Sequence, residues 1–202
     1  MTPLYVDDHI LIVDKPAGLL SVPGRSEPDC LVTRLQVGFP DVLTVHRLDM
    51  ATSGVMIFAR GAEVQRILSM AFAARRVDKR YIAVVAGETP DDGEVDLPLI
   101  TDWPNRPRQM IDHMIGKPSL TRYRTLSRGE GASRVELEPV TGRSHQLRVH
   151  MMAIDHPILG DEFYAPPAVM AQAPRLLLHA QSLSLPHPHT GETVTFISEP
   201  GF

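Results

Sequence analysis

The residues most suited to chemistry are the nine from His46 to Gly54, which spell HRLDMATSG and are followed by the apolar run Val55–Ala59. The carboxylate of this segment is Asp49, which has Arg47 two residues before it and hydroxyl side chains three and four residues after it. A buried charge is unfavourable unless it is paired and hydrogen-bonded. A carboxylate beside a buried strand therefore indicates a charge that is needed for chemistry. A turn whose aspartate caps the local backbone explains the nine residues equally well.

Two further segments place polar side chains at the ends of apolar elements. Tyr81 stands at the entry to an apolar strand, beside two cations, although a tyrosine there commonly packs with its hydroxyl group in water. Ser144 is predicted as the N-cap of a short helix that continues through Met152, and a helix N-terminus attracts phosphate. Arg148 lies one turn beyond Ser144. If Arg148 points toward the core it needs a buried acid, for which Asp49 is the candidate.

The elements that must position these side chains are mostly strands. Apolar runs and turn residues predict strands at 5–6, 10–13, 55–59, 81–85, 121–126, 134–138, 176–178, 183–185 and 194–197. Helical spacing of apolar residues predicts helices at 31–37 and 62–75, while the Pro- and Gly-rich segment 88–119 predicts short strands and loop. Strands and helices do not alternate regularly. The pattern predicts an α+β fold with a largely antiparallel mixed sheet, a few flanking helices and one domain over residues 1–202.

Composition limits the compartment and the partners. Cys30 is the sole cysteine, which excludes a disulfide framework, and no apolar stretch is long enough to span a bilayer. The N-terminus does not have the pattern of a secretory signal, so we expect a cytoplasmic protein without a membrane partner. The net charge is −4, yet residues 60–80 and 101–148 each carry an excess of cations, mostly arginine. Such a distribution can present a basic face to phosphates, although arginine richness can also reflect genomic composition.

Other chemistries fit the sequence less well. His145 and His150 are five residues apart, without the spacing of a His-Glu-x-x-His zinc helix, and His187-Pro188-His189 resembles an exposed hairpin turn. Gly116-Lys117-Pro118-Ser119 lacks the upstream glycine and the hydroxyl residue of a P-loop. Neither a Gly-x-Ser-x-Gly segment nor a dinucleotide-binding fingerprint is present. We therefore expect no metal site and no cofactor.

Three segments, in this order, resemble the pseudouridine synthases of the branch that modifies large-subunit ribosomal RNA and tRNA: HRLDMATSG, KRYIAVVAG and TGRSHQLRVH. Residues 4–22 resemble the opening of that family, and residues 96–99, 102–107 and 156–161 match it further. The resemblance covers nearly the whole chain. The stretch Asp102–Pro107 and the short length are most similar to dual-specificity members that act on 23S rRNA and on uridine 32 of tRNA. Because the catalytic opening begins at Leu4, we expect no S4 RNA-binding domain.

The resemblance implies a role for each motif in the isomerisation of uridine to its C-glycoside. Asp49 is the carboxylate that acts at the sugar, as nucleophile, base or stabilising charge. Arg148 pairs with Asp49, and Tyr81 stacks on the uracil and takes part in proton transfer at C5. The target uridine must be flipped out of its stem-loop, and Arg47 fills the vacated place.

Further residues are expected to contact the RNA. Those expected to bind the target nucleotide are His46, Arg47, Leu48, Thr52, Arg143, His145, Gln146 and Leu147. Those expected to contact the RNA backbone are Arg60, Arg75, Arg76, Lys79, Arg106 and Arg108. Two other functions compete: a non-catalytic RNA-binding module of the same fold, and a carboxylate-dependent nucleoside hydrolase. We expect structured RNA as the partner and a monomeric protein, because no exposed apolar helix face stands out.

Overall fold

The computed structural model describes residues 2–202, which divide into two compact units. The first unit comprises residues 2–79 and 179–201, and the second comprises residues 80–178 with Phe202. The expectation of one domain over residues 1–202 stays a prediction. The α+β class with a largely antiparallel sheet is confirmed, because all but one of the strand pairings described below are antiparallel.

The first unit is a sheet with two helices. Its elements are β1 (Tyr5–Val6), β2 (Ile10–Lys15), α1 (Leu31–Gln36), β3 (Val42–Thr44), β4 (Ser53–Arg60), α2 (Ala62–Ala73), most of β11 (Leu178–Pro186) and β12 (Thr193–Ile197). The strand order is β1-β2-β4-β11, with β3 paired to β4 and β12 paired to β11. Only β4 and β11 run parallel among these described pairs, with Ser53 opposite His179 and Gly54 opposite Ala180.

Burial explains why β4 forms at the centre of this sheet. Seven of its eight residues are buried, because β2 and β11 border it and α2 packs on one face. In α2, Leu68 and Ala71 point from one side of the helix into the core that contains Val55 and Ile57. This matches the apolar run that predicts a buried strand and the helical spacing that predicts α2. The segment that carries Asp49 is the connection from β3 to β4.

The second unit contains an antiparallel sheet and a separate hairpin. Its elements are most of β5 (Asp78–Ala86), β6 (Asp92–Asp96), β7 (Leu99–Thr101), β8 (Gln109–Ile111), β9 (Leu120–Gly129), β10 (Ala132–Pro139), α3 (Gln146–Ala153) and α4 (Pro167–Met170). The order of its main sheet is β5-β10-β9-β6, and β7 pairs with β8 alone. Alternate residues of β10 are buried, as expected for a strand with one face on a core. Val149 of α3 packs with Leu99 of β7 and with Tyr164.

Two local predictions are wrong. The predicted strands 176–178 and 183–185 correspond to the one strand β11, which begins at Leu178 and continues through the polar residues His179 and Gln181. Residues 176 and 177 precede the strand. The N-cap of α3 is His145 rather than Ser144, because His145 adopts a left-handed conformation with φ of 53° before the helix begins at Gln146. The longest helix within residues 2–202 is α2, with 12 residues. None of the described helices combines the length and the apolar character that crossing a bilayer requires.

Candidate active site

The backbone next to Asp49 is anchored by a buried lysine at the end of β2. Lys15 is completely buried, and its Nζ donates hydrogen bonds to the carbonyl oxygens of Pro16, Leu19 and Met50 at 2.9, 2.7 and 3.0 Å. The N–H of Gly18 also donates to the Met50 carbonyl, at 2.8 Å. The lysine thus joins the end of β2 to the residue that follows Asp49, and all three of its N–H groups are used.

The charge of Lys15 acts on Asp49 as well. Burial lowers the pKa of Lys15 to about 8, and the negative charge of Asp49 opposes this shift. None of the predictions made from the sequence concerns Lys15. The one feature of the sequence that points to a buried lysine is its position at the end of a strand whose preceding residues are almost all apolar. The sequence does not show which groups accept hydrogen bonds from the ammonium.

Hydrogen bonds from the backbone shape the turn around Asp49. Ser21 Oγ donates to the carbonyl oxygen of Leu48 at 2.6 Å, and the N–H of Leu48 donates back to Ser21 Oγ at 3.1 Å. The N–H of Thr52 donates to the carbonyl oxygen of Asp49 at 3.1 Å. The main-chain carbonyl of Asp49 therefore takes part in closing the turn. Leu48 and Thr52 are buried, whereas Arg47 is exposed.

The end of the motif packs directly on β11. Gly54 has φ of +119°, and a Cβ at this position would lie 2.3 Å from the carbonyl oxygen of Ala180. Ser53 Oγ lies 2.9 Å from His179 Nδ1, while His179 Nε2 lies 2.9 Å from the carbonyl oxygen of Ser198. Since a carbonyl only accepts, Nε2 carries the proton and Nδ1 accepts from the serine hydroxyl. These two residues of the motif therefore position the strand rather than offer chemistry.

His46 joins the beginning of the motif to the middle of β4. Its Nε2 accepts a hydrogen bond from the N–H of Ile57 at 3.1 Å, and its ring stacks on Phe72 with centroids 4.7 Å apart. Burial, and to a lesser extent the charge of Lys79, lowers the pKa of His46 to about 3. The imidazole is therefore neutral at physiological pH. The role of His46 in substrate binding stays a prediction, and the contacts seen here hold the motif against the sheet.

Arg148 is held by a partner that the sequence analysis did not assign. Its Nε and Nη2 donate to the two carboxylate oxygens of Asp161 at 2.8 and 2.6 Å, and both side chains are buried. Asp161 Oδ1 also accepts from the N–H groups of Phe163 and Tyr164 at 2.9 and 3.2 Å. The guanidinium carbon lies 5.1 and 5.2 Å from the two aromatic ring centroids. Two parallel bonds and two rings fix the orientation of Arg148.

The side chain of Asp161 was visible in the sequence only as part of the matched segment 156–161. A buried carboxylate that follows Gly160 gives no periodic signal of its own, and its partner is 13 residues away. The expectation that a buried Arg148 needs a buried acid is therefore met by Asp161. The pairing of Arg148 with Asp49 stays a prediction.

Gln146 is a positioning residue at the start of α3. Its Oε1 accepts from the Thr141 hydroxyl at 2.7 Å and from the Arg143 N–H at 3.0 Å, and its Nε2 donates to the Leu120 carbonyl and to Thr121 Oγ1 at 2.9 and 3.0 Å. An amide side chain has two acceptor and two donor positions, and all four are occupied. The substrate-binding role of Gln146 stays a prediction, whereas its contacts fix the turn before the helix.

The neighbouring residues of this turn differ in exposure. His145 Nδ1 lies 2.6 Å from the Tyr164 hydroxyl, and its ring stacks on Phe163. Leu147 is buried and Arg143 is exposed. Their contact with the substrate stays a prediction. Tyr81 is half-buried on β5, opposite Leu137 of β10, and the neighbouring Arg80 pairs with Glu138 at 3.3 Å.

The six basic residues expected to contact the RNA backbone differ in their exposure and in their contacts within the protein. Arg60 pairs with Asp41 at 3.0 Å and donates to the carbonyl oxygen of Asp7 at 2.8 Å, so its guanidinium stabilises the first unit. Arg75 and Arg76 are exposed just after α2, and Lys79 is half-buried with a pKa lowered by burial. The guanidinium of Arg106 lies 4.7 Å from the Trp103 ring centroid, and that of Arg108 lies 5.8 Å from the ring of Phe163.

The histidines near the C-terminus form a structural cluster. His187 Nε2 lies 2.9 Å from Asp7 Oδ2, and His187 Nδ1 accepts from the N–H groups of His189 and Thr190, both at 3.3 Å. Nδ1 of His187 is therefore used within the β11–β12 turn, and Nε2 joins this turn to the β1–β2 connection. Within residues 2–202, no group of three or more His, Cys, Asp or Glu side chains is arranged to hold a metal ion.

The structure places the expected residues in two sets. His46, Leu48, Asp49 and Thr52 lie with Lys15 in the first unit, where β2, β4 and the connection from β3 determine their positions. Tyr81 lies on β5, and Arg143, His145, Leu147 and Arg148 lie at or after the turn that begins α3, all in the second unit.

Comparisons with known proteins agree on one family. A model of the family described as RNA pseudouridylate synthase matches residues 9–153. The dual-specificity RNA pseudouridine synthase RluA of Escherichia coli K12 is 53% identical over 197 residues, which cover 96% of this chain and 90% of that protein. Its counterpart in Yersinia pestis is 52% identical over the full length of both chains. The solved structure of human RNA pseudouridylate synthase domain containing 1 is similar with a TM-score of 0.85 at 29% identity, covering 100% of this chain and 84% of that one.

Proposed function

The chain belongs to the RNA pseudouridylate synthase family and isomerises uridines in RNA, and from that premise we propose that its substrates are a tRNA and 23S rRNA. The observation that supports the choice of substrates is the identity of 48–53%, over nearly the full chain, to relatives that are named dual-specificity enzymes. The isomerisation breaks the bond from N1 to C1′, turns the uracil and joins C5 to C1′. The reaction is redox-neutral, so the protein side chains must supply the acid–base chemistry and the charge stabilisation.

Asp49 is the proposed catalytic carboxylate. The main-chain carbonyl of Asp49 accepts a hydrogen bond from the N–H of Thr52, and the carboxylate interacts electrostatically with the buried ammonium of Lys15. An ionised carboxylate near the sugar acts at C1′ or at a neighbouring proton when the glycosidic bond breaks. The anchoring of Met50 by Lys15 and Gly18 limits the motion of the adjacent residue, which supports accurate placement of the carboxylate.

Tyr81 and Arg148 are the proposed partners of Asp49 in the reaction. We propose that Arg148 pairs with Asp49 and that Tyr81 stacks on the uracil and transfers the proton at C5. The buried Asp161 supports this role for Arg148, because the bidentate pair already fixes the guanidinium before any substrate binds. The preorganised cation then needs little rearrangement during catalysis.

RNA binding requires that the target uridine leaves its stack. Flipping a base costs a few kcal/mol of stacking. Arg47 is exposed beside Asp49, and its planar guanidinium suits stacking in the vacated place. The exposed residues Arg75, Arg76, Arg106 and Arg108 are proposed to contact RNA phosphates.

We further propose a cytoplasmic monomer in which residues 1–202 act as one catalytic domain. Cys30 is a buried free thiol, which fits a reducing compartment. The uridine-containing RNA that serves as substrate is structured, so shape recognition is expected to be spread over many surface residues.

Product analysis tests the proposed activity and separates it from hydrolysis. The protein is incubated with a tRNA anticodon stem-loop and with 23S rRNA fragments, and the digested nucleosides are separated by chromatography. We expect pseudouridine in both RNAs and no free uracil. Free uracil would instead show a hydrolase, and unchanged uridine in every RNA that the protein binds would show a non-catalytic binding module. Pseudouridine in only one class of RNA would contradict the dual specificity.

A further inference from the structure

The second unit contains a cleft that no step of the proposed reaction uses. Its volume is about 850 Å³, within the range of small-molecule binding sites. Apolar walls are formed by Met152, Phe163 and Met170, among others, and Asp102, Arg108 and Gln109 contribute polar groups. Asp102 and Arg108 are the two ends of the loop that joins β7 to β8. The loop and the cleft are therefore parts of one surface.

The loop holds an exposed tryptophan in a defined conformation. Trp103 is 64% exposed, and it is the sole tryptophan of the chain. The N–H of Asp102 donates to the carbonyl of Arg108, and the N–H of Arg108 donates to the carbonyl of Asn105, both at 3.0 Å. Asn105 Nδ2 also donates to Asp102 Oδ2 at 2.9 Å. The exposed ring is therefore presented to solvent by a loop whose backbone is fixed by hydrogen bonds.

Charges around the loop define the chemistry of the ligand. The Arg106 guanidinium lies over the ring of Trp103, 4.7 Å from its centroid, so that a cation and an aromatic ring are in contact. Such pairs bind single-stranded nucleic acids, because a base stacks on the ring while the cation contacts the phosphate. Inside the cleft, Asp155 and Glu162 offer carboxylates, which only accept hydrogen bonds. They favour a base with an exocyclic amino group over uracil.

We propose that the loop Asp102–Arg108 and the adjoining cleft form a second nucleotide subsite, which binds an unpaired base of the substrate RNA other than the target uridine. The base is an amino-bearing one, and adenine is the test case. Trp103 stacks on the neighbouring base, Arg106 contacts the phosphate, and the carboxylates of the cleft accept from the exocyclic amino group. The subsite rests on the proposed function for the identity of the RNA, but its binding can be measured without catalysis.

Tryptophan fluorescence provides the direct test, because the signal comes from Trp103 alone. Oligoadenylate and oligouridylate are titrated separately into the full chain, and dissociation constants are obtained from the concentration dependence of quenching. We expect saturable quenching, with oligoadenylate binding at least several-fold more tightly. In the double variant Asp155→Asn, Glu162→Gln, this preference should shrink, because amides donate as well as accept. The proposal would be overturned if neither oligonucleotide quenched the fluorescence. It would also be overturned if the double variant kept the full preference for oligoadenylate.

Steady-state kinetics on the modified RNA provides the second test. Trp103→Ala should raise KM by roughly five-fold to a hundred-fold without changing kcat, because stacking contributes to binding and not to chemistry. Trp103→Phe should restore most of the affinity. Met114→Ala is the matched control, since Met114 is 91% exposed on the segment after β8 and should leave KM unchanged. An unaltered KM for Trp103→Ala would overturn the subsite.

The two proposals can fail separately. Saturable quenching together with no pseudouridine formation by the wild type would retain the subsite and overturn the enzymatic proposal. Normal pseudouridine formation, with no quenching and no effect of Trp103→Ala, would retain the enzyme and overturn the subsite. A protein ligand that quenches Trp103 while no RNA does so would also overturn it.

Discussion

At the scale of single residues, the buried ion pair of Arg148 and Asp161 is part of the fold and also orients the arginine that we propose for the active site. The two side chains form a bidentate ion pair, and Asp161 accepts two further main-chain hydrogen bonds. Desolvating both charges is costly, so the pair adds specificity more than stability. Its value for function is that the proposed active-site arginine has one orientation.

Removing one partner of this pair should be strongly destabilising. We predict that Asp161→Ala lowers the free energy of unfolding by about 3–5 kcal/mol, because Arg148 is left as an uncompensated buried charge. Urea unfolding measures the change. Asp29→Ala is the matched control, since it removes an exposed pair with Arg34 and should cost at most about 1 kcal/mol. Equal effects of the two substitutions would contradict the role assigned to Asp161.

The hydroxyl group of Tyr81 has a role that a conservative variant can isolate. We predict that Tyr81→Phe binds RNA with the affinity of the wild type and turns over about 10²- to 10⁴-fold more slowly, the usual contribution of general acid–base catalysis. Filter binding and single-turnover kinetics measure the two quantities. A rate close to that of the wild type would leave Tyr81 only a stacking role.

The pKa of His46 predicts how stability responds to acid. The pKa of His46 is about 3 in the folded state and ordinarily 6.5, so the unfolded chain binds one more proton between these pH values. The free energy of unfolding should therefore fall as the pH is lowered from 6.5 toward 3, with a slope of up to about 1.4 kcal/mol per pH unit from this group. Burial also lowers the pKa of His150, which contributes with the same sign.

Urea unfolding between pH 7 and pH 4.5 measures this slope. His46→Gln keeps an acceptor for the N–H of Ile57 but cannot take up the proton. The slope of the free energy of unfolding against pH should therefore be smaller in the variant by the contribution of one histidine. An identical slope in the variant and the wild type would show that His46 is not the responsible group.

At the scale of elements, the contact between β4 and β11 determines the end of the catalytic motif. Their short parallel pairing brings the backbone of Gly54 against Ala180, where a Cβ would lie 2.3 Å from the Ala180 carbonyl oxygen. We predict that Gly54→Ala lowers the free energy of unfolding by more than about 2 kcal/mol, because both the positive φ and the close approach exclude a side chain.

Gly129→Ala serves as the matched control in β9. A Cβ there would meet no heavy atom within 4 Å, and the expected change is within about 0.5 kcal/mol. Thermal unfolding of both variants measures the difference. A Gly54→Ala variant as stable as Gly129→Ala would contradict the close pairing of β4 with β11.

Elements with a regular hydropathy pattern could be predicted from the sequence, and elements fixed by distant contacts could not. The apolar run in β4 and the helical spacing in α2 predict both correctly, because each signal is local. Hydropathy predicts two strands in the region of β11, because the pattern does not show that the polar His179 is buried and bonded to Ser53 and Ser198. Its parallel pairing with β4 joins residues 126 positions apart, which no local pattern reveals.

The candidate site shows the same division. The motif around Asp49 was visible as charge beside a buried strand, whereas Lys15 and Asp161 were not assigned. Hydropathy places a lysine at the surface, and only the three converging carbonyl oxygens explain a completely buried one. The bidentate partner of Arg148 likewise depends on how the chain after α3 folds back.

At the scale of the whole molecule, we propose that Asp49 performs chemistry and does not merely stabilise a turn. The turn is closed by main-chain hydrogen bonds, so Asp49→Asn should fold as the wild type does. The amide keeps the size of the side chain and removes its negative charge.

The most direct test is tritium release from tRNA and 23S rRNA fragments labelled at uridine C5, with RNA binding measured in parallel for the wild type and Asp49→Asn. Replacement of the C5 hydrogen accompanies formation of the new bond at C5. We expect release by the wild type, no release by Asp49→Asn, and RNA affinity in the variant within a few-fold of the wild type. Undiminished release by Asp49→Asn would contradict the assignment of Asp49 as the catalytic carboxylate.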